Sequence, residues 1–319
     1  MRERKADEKE LKEHVFDIIG HRRAEVKLSA AMGQDAAKLD CGAVLVHTDP
    51  ITGKCDDIGA LAINVAANDV AAAGGEPVAF LLTVILPLGA TKEDLGRIMS
   101  GAERECVKLN AEIAGGHSEF SSAVTRPVVN AVALAKEISG FTPRKPLAGD
   151  EIILTKSAAI EAAVLISERE NVSLDDSERA RISTFRDMLS VVGDCKAVAK
   201  LTKSAYMHDV TEGGVENAVW EAACGADAGV VIYADEIPVD PLTRKLCRLT
   251  KVDPLRCLSS GSLIVAVPAG EKLAPKLTAA GVPAKVIGKV TSDKSKYIVS
   301  SAGRRELGPV ADELLNSEE

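Results

Sequence analysis

Four aspartates stand beside apolar runs: Asp35 in GQDAAKLD, Asp49 in HTDPITGK, Asp69 in ANDVAAAGG and Asp209 in HDVTEGG. Two glycine pairs occupy the same kind of position, Gly115-Gly116 in AGGHSEF and Gly213-Gly214. Dispersed carboxylates with glycine turns suit a hard divalent cation, which takes oxygen ligands and shares them with substrate phosphates. Glycine lets backbone N–H groups come close to the anion. His117, Ser118 and Glu119 follow the first pair, so a proton carrier and further ligands lie within three residues of it.

Each stretch also has a plainer reading. Asp49-Pro50 suits a turn, and Gly115-Gly116 suits a bulge. Thr211 or Asp209 can cap a helix with Glu212 in its first turn. Asn68-Asp69 can be a solvated helix face, although Val65, Ala66, Val70 and Ala71 make the surroundings apolar. The joint pattern favours a metal–polyphosphate site. The usual nucleotide signatures are absent: no GxGxxG follows a strand, and Gly53-Lys54 is followed by Cys55, so no GxxxxGK[ST] forms.

The elements that must position these residues follow from periodicity. Residues 5–23 predict an amphipathic helix through Leu11, Val15, Phe16, Ile18 and Ile19. Two short strands, about 35–39 and 43–48, flank a turn at Asp40-Cys41-Gly42. Asp57 is placed to cap the helix IGALAINVAANDVAAAG, which Gly74-Gly75 ends; EPVAFLLTVILP is a strand stopped by Pro87. Thr91 caps KEDLGRIMSGAERECVKLN, and two strands follow, AEIAGGHSEFS, broken at its glycines, and RPVVNAVALAKEI. The half reads β-β-α-β-α-β-β, an α+β pattern. Residues 139–150 are rich in Pro and Gly and mark the junction between domains at 1–140 and 149–319. The second half mixes strands and helices again, with charged helical segments at 171–204 and 240–260.

Composition narrows the function class. Aromatics are 3% and the net charge is −8, so stacking platforms and a basic surface for nucleic acid are both lacking. Seven scattered cysteines without a CxxC pair suit a reducing cytoplasm. The charged N-terminus has no signal-peptide core and no run of about 18 apolar residues occurs, which predicts a soluble cytoplasmic protein without a membrane partner.

Taken in order, GQDAAKLD, HTDPITGK, ANDVAAAGGEPVAF, AGGHSEF and HDVTEGG resemble the ATP-binding superfamily of aminoimidazole ribonucleotide (AIR) synthase, over roughly residues 28–300. Its members include HypE, thiamine-monophosphate kinase, selenophosphate synthetase and formylglycinamidine ribonucleotide synthetase. The resemblance implies a two-domain PurM-like α+β fold. In it the N-terminal sheet forms a barrel across a homodimer with ATP clefts beside it, and the C-terminal domain is an α/β sandwich. It implies ATP and Mg2+ as cofactors, with Asp35, Asp49, Asp69 and Asp209 holding metal and phosphates. Asn68, Gly115, Gly116, Glu212, Gly213 and Gly214 are implied as nucleotide-binding and His117 and Glu119 as catalytic; Lys54 matches the lysine of the family pattern TDGVGTK.

The stretch DEIPVDPLTRKLCRLTKVDPLRCLSSGSLIVAVP is most similar to the HypE branch. Two departures imply a substrate other than HypE's own: Cys257 is the last cysteine, and Glu212 stands where the HypE pattern has Arg. The expected activity is phosphoryl transfer from ATP to activate an amide, carboxylate or similar small molecule. A thiamine-monophosphate-kinase-like kinase, and a non-catalytic ATP-binding accessory acting through a partner protein, are the alternatives.

Overall fold

The 13-residue strand Gly75–Pro87 is the spine of the N-terminal unit. In the computed structural model, which describes residues 4–5, 8–29, 38–40, 42, 44–52, 55–169 and 171–317, it is hydrogen-bonded on both edges. Asp35, Cys41 and Lys54 lie outside the described residues. The chain folds as two compact units, Met1–Ala71 with Gly75–Glu137, and Ala72–Gly74 with Ile138–Glu319.

In the first unit Gly75–Pro87 runs parallel to Glu112–Ser121 and antiparallel to Val128–Glu137, which pairs in turn with the edge strand Val44–Ile51. The parallel pair needs a crossover, and the helix Lys92–Leu109 supplies it. Thr91 caps that helix: its hydroxyl accepts the Asp94 N–H, and the Asp94 carboxylate accepts the Thr91 N–H in return. The short strand Arg4–Lys5 completes the sheet beside Glu112–Ser121.

The helix Ile58–Ala72 is buried at every position except Asp69. Glycine is what lets it pack so closely, because a Cβ on Gly59 would lie 1.9 Å from the Ile98 carbonyl oxygen of the crossover helix. The Ala60 N–H points to Asp57 Oδ1 at 3.4 Å, at the N-terminus of this helix.

Several local expectations are corrected. The predicted helix over 5–23 is limited to Glu8–Leu11 and a π-helical turn at Lys12–Phe16. Beyond it the N–H groups of Gly20 and His21 are taken by Glu103 Oε1, at 2.8 and 2.6 Å, which draws the chain out of the helix. Of the two strands placed around Asp40-Cys41-Gly42, the described part of the first, Lys38–Leu39, pairs with Val26–Leu28, and the second runs over Val44–Ile51 in an eight-residue register on Val128–Glu137. The strand Glu112–Ser121 is continuous through Gly115-Gly116, which pair with Leu81 and Leu82, and the register shift falls just before them at Ala114.

The second unit holds an eight-stranded sheet in the order Gly303–Glu306, Lys296–Ser300, Gly229–Tyr233, Ala284–Thr291, Glu151–Thr155, Leu263–Val267, Ser204–Asp209, Thr142–Pro143. Six helices accompany it: Ile160–Ser167, Asp176–Asp187, Val192–Leu201, Gly214–Gly225, Pro241–Thr250 and Gly270–Ala279. Its core gathers Ile152, Leu154, Val219, Ile232, Ile264 and Ile298. The charged segment predicted at 171–204 contains two helices, Asp176–Asp187 and Val192–Leu201. The helical stretch predicted to 260 ends at Thr250, because Lys251 turns left-handed (φ 59°) and Pro254 follows. Among the described residues no helix is long and apolar enough to cross a membrane.

Candidate active site

Along the strand Val44–Ile51, exposure alternates strictly, so Leu45, His47, Asp49 and Ile51 share the more buried face. Asp49 lies opposite Ala131, which pairs with Leu82, and both are buried. On the same face the helix Ile58–Ala72 presents Asp69, its one position that is not buried. His47, Asp49 and Asp69 each offer a ligand atom, and these atoms all lie within 4.8 Å of one another. His47 Nε2 is 3.2 Å from Asp69 Oδ2, with the two side chains 38% and 31% exposed, so the cluster is open on one side. Burial raises the Asp49 carboxyl above its ordinary range, and the neighbouring His47 opposes that rise. A half-desolvated carboxylate in this setting gains from a cation. One nitrogen and two carboxylates with solvent access form a donor set that fits a divalent ion shared with phosphate oxygens.

The sheet register relates this cluster to the glycine pair. Asp49, Ala131, Leu82 and Gly116 form one cross-strand row, and three strand spacings put Gly116 about 14 Å from Asp49. A Cβ on Gly116 would lie 2.0 Å from the Leu82 carbonyl oxygen, which explains a glycine there; Gly115 precedes it at the register shift. His117 and Glu119 pair with Thr83 and Ile85, one step out of phase, and so face the other side of the sheet. There His117 Nε2 lies 3.1 Å from Glu119 Oε2. The structure therefore keeps these two apart from Asp49 and Asp69. Asn68 is wholly buried, on the interior side of its helix. One turn earlier Asn64 Nδ2 donates to Glu105 Oε2 at 3.3 Å, another polar pair held inside the helix packing.

In the second unit Asp209 ends the strand Ser204–Asp209 and is buried, and Gly213 (φ 75°) and Gly214 (φ 65°) make the turn into the helix Gly214–Gly225. A Cβ on Gly214 would meet the Leu255 carbonyl oxygen at 2.6 Å. The Gly213 N–H donates to Asp312 Oδ2 at 2.9 Å, while Asp312 Oδ1 accepts from Leu314 and Leu315. Glu161 is fully enclosed beside this turn, accepting the Ser260 N–H at 3.2 Å. Burial raises its carboxyl to about 7, the Ser260 hydrogen bonds lower it, and the charges of Asp312 and Glu212 add to the rise. Glu212 is exposed, and its carbonyl accepts from Asn217 Nδ2.

Sequence reasoning missed His47, although a signal existed: two residues before Asp49 on an alternating strand places it on the same face. It also missed Asp312, which takes the Gly213 N–H from 99 residues away, and the enclosed Glu161.

The AIR synthase related protein N-terminal domain matches residues 33–136, and the corresponding C-terminal domain matches residues 148–300. The chain belongs to the AIR synthase related family. Carbamoyl dehydratase HypE of Azotobacter vinelandii is 27% identical over 277 residues, covering 82% of this chain and 79% of that protein. The crystal structure of Escherichia coli HypE superposes with a TM-score of 0.79 at 22% identity, covering 96% of each chain. A HypE crystal structure in complex with ATP gives 0.70 at 21% identity, over 89% of this chain and 90% of that one. The family's mixed α+β, PurM-like two-domain fold is thus the fold of this chain.

Proposed function

We propose that this protein is an ATP- and Mg2+-dependent enzyme of HypE type that transfers the γ-phosphoryl group to the oxygen of a small amide, carboxylate or related substrate. The observation that carries this reading is the His47, Asp49 and Asp69 cluster at the one opening in an otherwise buried helix. The likeness to HypE, one structure of which contains ATP, supports it. Mg2+ bound there would neutralise phosphate charge and orient the γ-phosphate, which is most of what phosphoryl transfer asks of a protein. Asp49 and Asp69 would hold the cation, and the apolar packing of the helix Ile58–Ala72 fixes Asp69. In the transfer the substrate oxygen forms a bond to the γ-phosphorus as the bond to the bridging oxygen breaks and ADP leaves. Phosphate then leaves with the electrons of that carbon–oxygen bond as the carbon gains a bond to nitrogen, either from an attacking amine or, in dehydration, from the amide's own nitrogen as it loses its protons.

Asp35 and Asp209 enter the proposal as further metal ligands, Lys54, Asn68, Gly115, Gly116, Glu212, Gly213 and Gly214 as nucleotide-binding residues, and His117 and Glu119 as the catalytic pair. The expected assembly is a homodimer through the half-exposed sheet face. The test is isothermal calorimetry with a non-hydrolysable ATP analogue and Mg2+, followed by ADP release against a panel of small amides and carboxylates. Binding with substrate-stimulated ADP release is expected. Binding without turnover on any panel member would favour an accessory role, and no binding would overturn the reading.

A further inference from the structure

We infer that His47 makes the cluster a mixed nitrogen–oxygen site that selects Mn2+ over Mg2+, an inference that rests on the dication-binding reading above. Mg2+ demands near-octahedral oxygen ligands and gives up its water reluctantly, so an imidazole adds little to its binding. First-row transition cations accept imidazole and carboxylate together, and their affinity for such sites rises from Mn2+ onward. His47 is turned into the cluster, since its Nε2 is 3.2 Å from Asp69 Oδ2 and it shares a strand face with Asp49. Elsewhere in the described residues His14 lies near Glu13, His117 near Glu119 and His208 near Glu221. Among the described residues His47, Asp49 and Asp69 are the one group of three such donors.

Ligand atoms around a cation at about 2.1 Å stand roughly 3 Å apart when adjacent, so modest side-chain rotations close the 4.8 Å cluster onto an ion. The partial exposure of His47 and Asp69 leaves positions for water or phosphate oxygens. His47 is the selective donor because a carboxylate binds both cations, whereas the ring nitrogen favours one.

The full-length protein without nucleotide, titrated with Mn2+ and followed by electron paramagnetic resonance, tests this, with Mg2+ as competitor. Wild type is expected to bind Mn2+ at least roughly tenfold more tightly than Mg2+ and to show 14N modulation from a coordinated imidazole. His47→Ala, and His47→Gln as a second variant of closer size, are expected to lose the modulation and the preference for Mn2+ over Mg2+. Mn2+ bound without 14N coupling, at an affinity that both variants share with wild type, would show that His47 only pairs with Asp69 and would overturn the inference alone. If neither cation binds, with or without an ATP analogue, the inference fails together with the dication reading beneath it.

Discussion

The backbone N–H of Gly213 donates to Asp312 Oδ2 at 2.9 Å, so a carboxylate from near the end of the chain occupies the helix start that the glycine motif marks out for an anion. The dipole of the helix Gly214–Gly225 favours negative charge at its start, and here a side-chain carboxylate supplies it. Asp312 also accepts from Leu314 and Leu315, which ties its own segment to the turn. Asp312→Ala removes these acceptors and leaves buried donors unpaired. A loss of about 1–2 kcal/mol is expected in urea unfolding. Asp312→Asn, which keeps one acceptor oxygen, is expected to lose less; equal stability of all three proteins would refute this role.

Asp49→Asn and Asp69→Asn separate cation binding from folding. Asp69 is partly exposed and Asp49 carries a desolvated charge, so neither change should destabilise the fold. Stabilisation of the protein by an ATP analogue with Mg2+ is expected to fall on the order of 100-fold in apparent affinity, and ADP release with it. Thermal shift with and without ligand checks both halves: unchanged ligand stabilisation in the two variants would count against the site.

Much of this arrangement was legible in the sequence. Thr91 and Pro87 bounded their elements as turn chemistry requires, and Asp69 stood out because nothing in the alanine-rich run around it is polar except Asn68. The sequence separated those two neighbours less well, since one residue of helix rotation decides that Asn68 is enclosed while Asp69 is open. Asp49-Pro50 read as a turn beyond a strand ending near 48, yet the strand continues to Ile51. It lies at the sheet edge, where proline's missing N–H takes nothing from a ladder. That misplaced boundary hid the shared face of His47 and Asp49. The alternation that places His117 and Glu119 on the opposite face depends on the pairing of strand Glu112–Ser121 past its register shift, which only the fold reveals. Asp312 and Gly213 are 99 residues apart, and no local pattern joins them.

Gly59→Ala tests the close approach of the two N-terminal helices. The new Cβ would fall 1.9 Å from the Ile98 carbonyl oxygen, which is backbone and has no rotamer with which to move away. The helices must separate, at a cost of roughly 1–3 kcal/mol, even though alanine has the better helix propensity. Chemical denaturation measures the loss, and a stabilised variant would mean that the helices do not meet here.

The proposed homodimer face can be probed at Val46, which is 61% exposed on the strand Val44–Ile51 beside Val44 at 40%. On that face Thr83, Ile85 and Val132 are only half-buried, and contiguous exposed apolar side chains of this kind mark association surfaces. Val46→Glu places a charge there without touching the core. Light scattering is expected to show a dimer for wild type and a shift to monomer for the variant; a wild-type monomer would remove the dimer proposal.

Glu161 gives the protein a pH-dependent stability with a definite sign. Burial raises its carboxyl from the ordinary 4.5 to about 7, Ser260 opposes the rise by hydrogen bonding, and Asp312 and Glu212 reinforce it. Above pH 7 the group is ionised in both folded and unfolded chains, and the folded state bears the cost of enclosing the charge. As the pH falls through 7 the folded chain takes up a proton that the unfolded chain does not bind until about 4.5, so stability rises over that window by roughly 3 kcal/mol and is level below it. Glu161→Gln keeps an oxygen for the Ser260 N–H and has no proton to exchange. Urea unfolding of the full chain between pH 5 and 8.5 is expected to show the variant more stable than wild type at the alkaline end, the difference closing as the pH is lowered. A difference that is constant with pH would place the origin elsewhere, because linkage to Glu161 requires the two curves to converge.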